Sequence, residues 1–182
     1  MTRSVGQNGT IHFYEHEPRG AKMADTIFRR LRLSNNEIAI SVRTIEQHLR
    51  PAQLARAANV ANRAIYRFFR DTGDVGIDIC VLALADSRGK SSPVVDDPQD
   101  AQLRSTLTTL LERYYRAPQA VVAPPALVDG RTLMRELNMP PGPRIGELLE
   151  AIREAQADGE VKTVEDALAF ARKWETGKQG NR

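Results

Sequence analysis

The chain has 182 residues, 41% hydrophobic and 5% aromatic, and its 26 Lys+Arg against 23 Asp+Glu leave a net charge of +3. That length suits one large domain or two small helical ones, and the charge excess is too small to mark a polyanion binder by itself. The longest apolar run, residues 79–85, is far below the ~18 residues of a membrane span, the opening MTRSVGQNGT has no hydrophobic signal core, and the lone Cys80 excludes a disulfide framework and a cysteine-based zinc site. The chain therefore reads as soluble and cytoplasmic, with no membrane partner.

In chain order, nearly every periodic stretch reads as helix. From Gly20, Met23, Ala24, Ile27, Phe28 and Leu31 form one apolar stripe at helical spacing. Ser34 and Glu37 have capping-box spacing, and the helix they start should bury Ile38, Val42, Ile45 and Leu49 before stopping at Arg50-Pro51. A third helix is expected over 51–58 and a fourth over 62–72. The run 77–85 is apolar nearly all round and reads as a central buried helix, with Cys80 buried and inert. Residues 86–100 read as a polar loop. A long helix over 101–116 carries Leu103, Leu107, Leu110 and Leu111 inward, and its end, Tyr114-Tyr115-Arg116, reads as a core edge, with base stacking the alternative. The three prolines in 117–128 read as a linker. Beyond it stand helices over 130–137, 143–157 and 164–174, with Trp174 pinning the last one and a frayed tail over 176–182. No β-hairpin signal is read. The expectation is an all-α, multi-helix bundle: subdomains over 1–116 and 129–175, joined by the linker 117–128, with 176–182 disordered.

The net charge hides an asymmetry. Residues 1–73 hold 12 Lys/Arg and 6 Asp/Glu, whereas 74–182 hold 14 and 17, so an anionic partner should dock on the first part. Arg63, Arg67 and Arg70 fall at i, i+4 and i+7, one face of a helix, while Ile65, Phe68 and Phe69 can pack inward. Three guanidinium forks on a rigid rod suit successive phosphates, and acidic partners are scarce nearby in sequence. The opposing expectation is a solvated face with internal salt bridges. Arg29, Arg30, Arg32, Arg43 and Arg50 can extend the patch. A second candidate is Pro141-Gly142-Pro143-Arg144-Ile145-Gly146. Gly142 permits close approach, Pro143 suits the first helical position, and the free amides of the helix start can hold a phosphate with Arg144 closing over it. Its bland counterpart is a tight helix corner in which both glycines serve packing.

Three segments then resemble the C-terminal half of bacterial tRNA nucleotidyltransferases and poly(A) polymerases. The first runs from Phe13-Tyr14-Glu15-His16-Glu17 and Gly20-Ala21 through Arg30-Leu31-Arg32-Leu33-Ser34-Asn35 to His48-Leu49-Arg50-Pro51, and is similar to the later part of an HD-type helical region. The second is Leu82-Ala83-Leu84-Ala85-Asp86-Ser87. The third comprises Asp129-Gly130-Arg131-Thr132-Leu133-Met134, the Pro141–Gly146 hexapeptide, Arg153-Glu154-Ala155-Gln156 and Gly159-Glu160-Val161, and is similar to the family's RNA-binding body. Together they cover about residues 11–173. The resemblance implies an RNA-binding helical module that grips the acceptor stem of tRNA through phosphates, and the residues read above from spacing and charge, Arg29, Arg30, Arg32, Arg43, Arg50, Arg63, Arg67, Arg70, Gly142 and Arg144, are the candidates for those contacts.

The family's β-containing catalytic head, with its glycine-rich phosphate loop and paired aspartates for two Mg²⁺ ions, has no counterpart. The nearest carboxylates, Asp96-Asp97, precede Pro98 in a loop. The chain thus reads as headless (an engineered fragment, one half of a split gene or a truncated frame), with no catalytic residue or cofactor of its own. Mg²⁺ is expected only with the missing head, which a separate gene can supply as a partner. None of His12, His16 and His48 is followed by the Asp of an HD phosphohydrolase doublet, so no metal is expected on them, and His16 and His48 are expected to hold the first helices together. The alternatives are a degenerate metal-dependent phosphohydrolase and a helical scaffold for a separate catalytic subunit.

Overall fold

The structure, a computed structural model, describes residues 3–5, 11–13, 15–90 and 97–179, with side chains over 15–89 and 97–176. It is all-α but for one short antiparallel pairing, β1 (Arg3–Val5) against β2 (Ile11–Phe13), with Ser4 opposite His12. That pairing corrects the expectation of no hairpin. Three-residue strands are too short to show alternation, although the intervening sequence includes Gly6-Gln7-Asn8-Gly9, which is rich in turn formers.

The chain divides into two compact units. The first holds residues 1–59 and 71–108; the second holds 60–70 and 109–182. Residues 117–128, expected to be a linker, therefore lie inside the second unit. Among the described residues no helix is long and apolar enough to cross a membrane.

In the first unit, α1 (His16–Arg30) packs on α2 (Asn35–Gln47), and α2 and α3 (Arg50–Leu54) pack on α5 (Gly76–Lys90). The face that α1 turns inward is small: Ala21 and Ala24 are buried, and a Cβ on Gly20 would stand 3.4 Å from Ile45 Cγ2. Small residues let the two backbones approach, so Met23, Ile27 and Leu31 stay exposed although they belong to the same apolar stripe as the buried Ala24. The capping box at the start of α2 is present. Ser34 N donates to Glu37 Oε2 at 2.8 Å, and Glu37 N donates to Ser34 Oγ at 3.3 Å. Ile38 is buried, while Val42, Ile45 and Leu49 are half-buried. Pro51 sits buried in the first turn of α3.

A 3₁₀ turn (Gly73–Val75), with Gly73 at φ +57°, leads into α5. This helix is not buried all round. Ile79, Cys80 and Ala83 face the core, but Val81 is 62% exposed and Leu84 is exposed too. Burial pushes the Cys80 thiol up to about 12, as an inert buried cysteine requires. Helix α5 runs to Lys90, and α6 (Pro98–Arg116) begins at Pro98. Both invade the expected loop 86–100, of which residues 91–96 lie outside the described set.

The second unit contains most of α4 (Asn62–Thr72) and the end of α6. A π-type turn (Pro118–Val122) follows, then α7 (Gly130–Leu137), α8 (Pro143–Ala157) and α9 (Val164–Gln179). Val121, in the proline-rich stretch, is buried. Asp129 caps α7 by accepting from Thr132 N at 2.8 Å. Gly159, at φ +79°, turns the chain after α8, a conformation that disfavours a Cβ. Leu133, Leu148, Ile152 and Ala155 form a core with Ala167 and Ala171 of α9, and Trp174 packs against it. Helix α9 continues to Gln179, past the expected end at residue 174; 180–182 lie outside the described residues.

Candidate nucleic-acid interface

Helix α4 separates its two faces as the spacing predicts. Ile65 and Phe68 are fully buried and Tyr66 and Phe69 nearly so, while Arg63, Arg67 and Arg70 point the other way. The arginines do not point into solvent unaccompanied. Arg67 grips Glu154 through Nε at 2.7 Å and Nη2 at 2.5 Å. Arg70 Nη1 reaches Glu150 at 2.5 Å and Glu154 at 3.4 Å. Arg63 Nε lies 3.0 Å from Asp158, and its Nη2 lies 3.5 Å from Glu160. The backbone amide of Arg63 also donates to Asp158 Oδ1 at 2.8 Å, so Asp158 caps the first turn of α4 from a distant part of the chain.

Glu150, Glu154 and Asp158 stand at i, i+4 and i+8 on α8 and its C-cap, and they meet the arginines in reverse order, as antiparallel helices require. The stripe expected to hold phosphates is therefore engaged within the protein. The guanidiniums are only partly buried, but Glu154 is 14% exposed, and the Arg67 hydrogen bond holds its carboxyl below the usual range. Burial and the charge of Glu150 push the neighbouring Tyr66 phenol up to about 12.

Two more predicted residues are paired. Arg29 Nε donates to Asp25 at 2.9 Å and Arg50 Nη2 to Asp71 at 2.9 Å. Arg30, Arg32 and Arg43 are exposed, and their side chains form no hydrogen bond or ion pair among the described residues. Arg30 and Arg32 share the corner between α1 and α2, where Arg32 adopts φ +60°; Arg43 lies on α2 with Nη1 beside Gly73.

At the start of α8, Gly142 is extended and offers no side-chain cap, and Pro143 opens the helix. Added Cβ atoms on Gly142 or Gly146 would meet nothing within 4 Å, so neither glycine serves helix packing. Arg144 does not close over the amides as expected. Its Nε lies 2.9 Å from Glu175 Oε1, and its guanidinium sits 5.9 Å from the Trp174 ring centre.

The His16 and His48 rings meet edge to face at 5.3 Å. His48 Nδ1 lies 2.7 Å from the Ile45 carbonyl oxygen, and His16 Nδ1 lies 3.3 Å from Glu17. The His12 side chain and Asp96 fall outside the described residues. Within them, no three His, Cys, Asp or Glu side chains stand together as a metal-holding group. An open cleft of about 860 Å³ in the first unit is lined by His48, Arg56, Asp86, Ser87, Asp100 and Gln102. Its polar groups are partly spoken for: Ser87 donates to Asp100, and Gln102 Nε2 donates to the carbonyl of Ala57 at 3.2 Å.

Fold and surfaces together define an all-helical protein whose second unit is clamped by arginine–carboxylate pairs and whose first unit carries unengaged arginines. Comparison with known proteins narrows this class. The family model for tRNA nucleotidyltransferase domain 2 matches residues 19–171. The A-adding tRNA nucleotidyltransferase of Deinococcus radiodurans is 32% identical over 170 residues, 91% of this chain and 36% of that enzyme. CC-adding tRNA nucleotidyltransferases of Thermus thermophilus and a Synechocystis species are 26% and 27% identical, over 94% and 82% of this chain and 36% and 33% of theirs. No solved structure matches. The chain belongs to the tRNA nucleotidyltransferase family, and it spans about a third of the length of the curated relatives it matches.

Proposed function

We propose that this chain is the tRNA-holding part of a tRNA nucleotidyltransferase and carries no nucleotidyl-transfer site of its own. The observation that carries this reading is the family match over nearly the whole chain, coupled with similarity to A-adding and CC-adding enzymes over only a third of their length. The transfer chemistry and its Mg²⁺ then belong to the remaining part, supplied by a catalytic head. The grip is electrostatic and directed at shape, because the deep groove of an A-form acceptor stem is closed to side chains. Arg30, Arg32, Arg43 and the open amides at the start of α8 are the groups available for phosphates. Arg63, Arg67 and Arg70 serve the fold instead.

Filter binding of a tRNA acceptor minihelix at low and moderate salt tests this. Affinity is expected to fall steeply with salt, and combined Arg30→Ala, Arg32→Ala and Arg43→Ala should flatten the log–log slope by about one for each phosphate no longer neutralised. No binding at micromolar protein in low salt overturns the proposal. A second reading, compatible with the first, is that α1 docks the catalytic head. It is favoured by the exposed Met23, Ile27 and Leu31, which recur every four residues on one face. Co-purification with the portion of the Deinococcus enzyme that this chain does not cover, abolished by Met23→Glu with Ile27→Glu, is the result it requires.

A further inference from the structure

Four aromatic rings run from the core of the second unit to its surface. Phe68, fully buried, meets Phe69 edge to face at 5.0 Å; Phe69 meets Tyr114 at 5.1 Å with the planes tilted by 37°; Tyr114 meets Tyr115 edge to face at 5.1 Å. The first three are buried or half-buried, so the expected core edge is Tyr114. Tyr115 is not part of it. It is 68% exposed, the most exposed large hydrophobic side chain among the described residues.

An exposed phenol ring costs hydration free energy, and this one gains only an edge contact from its neighbour. That contact fixes the ring from one side and leaves a face open. A ring already oriented forfeits little rotamer freedom when something stacks on it. Arg113 and Arg116 share the last turn of α6 with it, but at 100° per residue Arg113 emerges on the far side of the helix, and Arg116 is the nearer of the two. The Arg116 side chain is 81% exposed and reaches Glu112 at 3.7 Å. An oriented open π-face followed in the chain by an exposed guanidinium complements an unpaired nucleotide. The base stacks on the ring while a phosphate meets the arginine. An aliphatic partner would use the ring but leave a positive charge to be desolvated.

We propose that Tyr115 is the stacking platform for an unpaired base of the bound RNA, with Arg116 holding a flanking phosphate. This rests on the reading that the chain binds tRNA, and adds that it distinguishes single-stranded nucleotides from paired ones.

Fluorescence anisotropy with two labelled RNAs separates the claims: an acceptor-stem hairpin with an unpaired loop and a single-stranded 3′ tail, and a blunt duplex of the same stem. Tyr115→Ala should weaken binding of the hairpin by about 5- to 150-fold, the equivalent of one base stack, and leave the duplex within twofold. Tyr115→Phe should keep hairpin affinity, since stacking needs the ring and not the hydroxyl. The urea midpoint of both variants should match that of the parent, because the side chain is largely exposed. If Tyr115→Ala changes neither RNA, or weakens both equally, the stacking role is overturned while the RNA-holding reading stands. If the parent binds neither RNA at low salt, both fall.

Discussion

Glu154 is the residue on which the second unit turns, for its single carboxylate serves Arg67 bidentately and Arg70 at longer range. Charge-assisted pairs of this kind contribute about 1.5–3 kcal/mol when sheltered and less when one partner is half in water. Arg67→Ala should thus cost about 1–2 kcal/mol in urea unfolding. Arg67→Glu should cost more, because it sets a carboxylate against Glu154, and the exchange of Arg67→Glu with Glu154→Arg should recover most of the loss. The pH dependence follows from the depressed Glu154 pKa. The unfolded chain takes up a proton at this position near the ordinary value of 4.5, before the folded chain does, so the contribution is complete above that pH and drains away as acid is added. Glu154→Gln should flatten the acid limb of the stability curve below pH 4.5. Both halves of this clamp are legible as charge spacing, Arg63/Arg67/Arg70 on one helix and Glu150/Glu154/Asp158 on another. What the sequence does not reveal is that these two stripes, 80–97 residues apart in the chain, face each other antiparallel. Scarcity of acids nearby in the chain is therefore a poor guide to scarcity in space.

Helix limits marked by caps, prolines and glycines at both ends follow local rules, and burial faces do not. The bounds of α4, α7 and α8 agree with those expected from caps, prolines and glycines, since such signals act within one turn. The outer sides of α1 and α5 were not legible. An apolar stripe states that a face avoids water, but close approach through Gly20, Ala21 and Ala24 decides which face α2 covers. Two glycines make opposite predictions for one methyl group. Gly146→Ala, inside α8 with open space around the new Cβ, should raise stability by about 0.5–1 kcal/mol. Gly159→Ala, at φ +79°, should lower it by about 1–2 kcal/mol. Thermal or urea unfolding of the two variants checks both signs. As for the candidate site, the open glycine corner of α8 was legible from Pro143 and Gly142, whereas the commitment of Arg144 to Glu175 and Trp174 required the fold.

For the molecule as a whole, the family assignment was legible from ordered motifs, while the partition of the chain into units was not, because proline density marks 117–128 as a break although Val121 is packed away. The functional expectation at this scale is that the chain, given Mg²⁺, nucleoside triphosphates and tRNA lacking its terminal nucleotides, adds none. Gel analysis of end-labelled tRNA checks this, and extension by the isolated chain would contradict the proposal. The route of the backbone has a consequence for biosynthesis. It passes from one unit to the other at 59/60, 70/71 and 108/109, so α4 leaves the ribosome 87 residues ahead of its clamp partner on α8. At ~5–20 residues per second, that is a wait of about 4–17 s, during which the guanidinium of Arg67 has no native partner on α8.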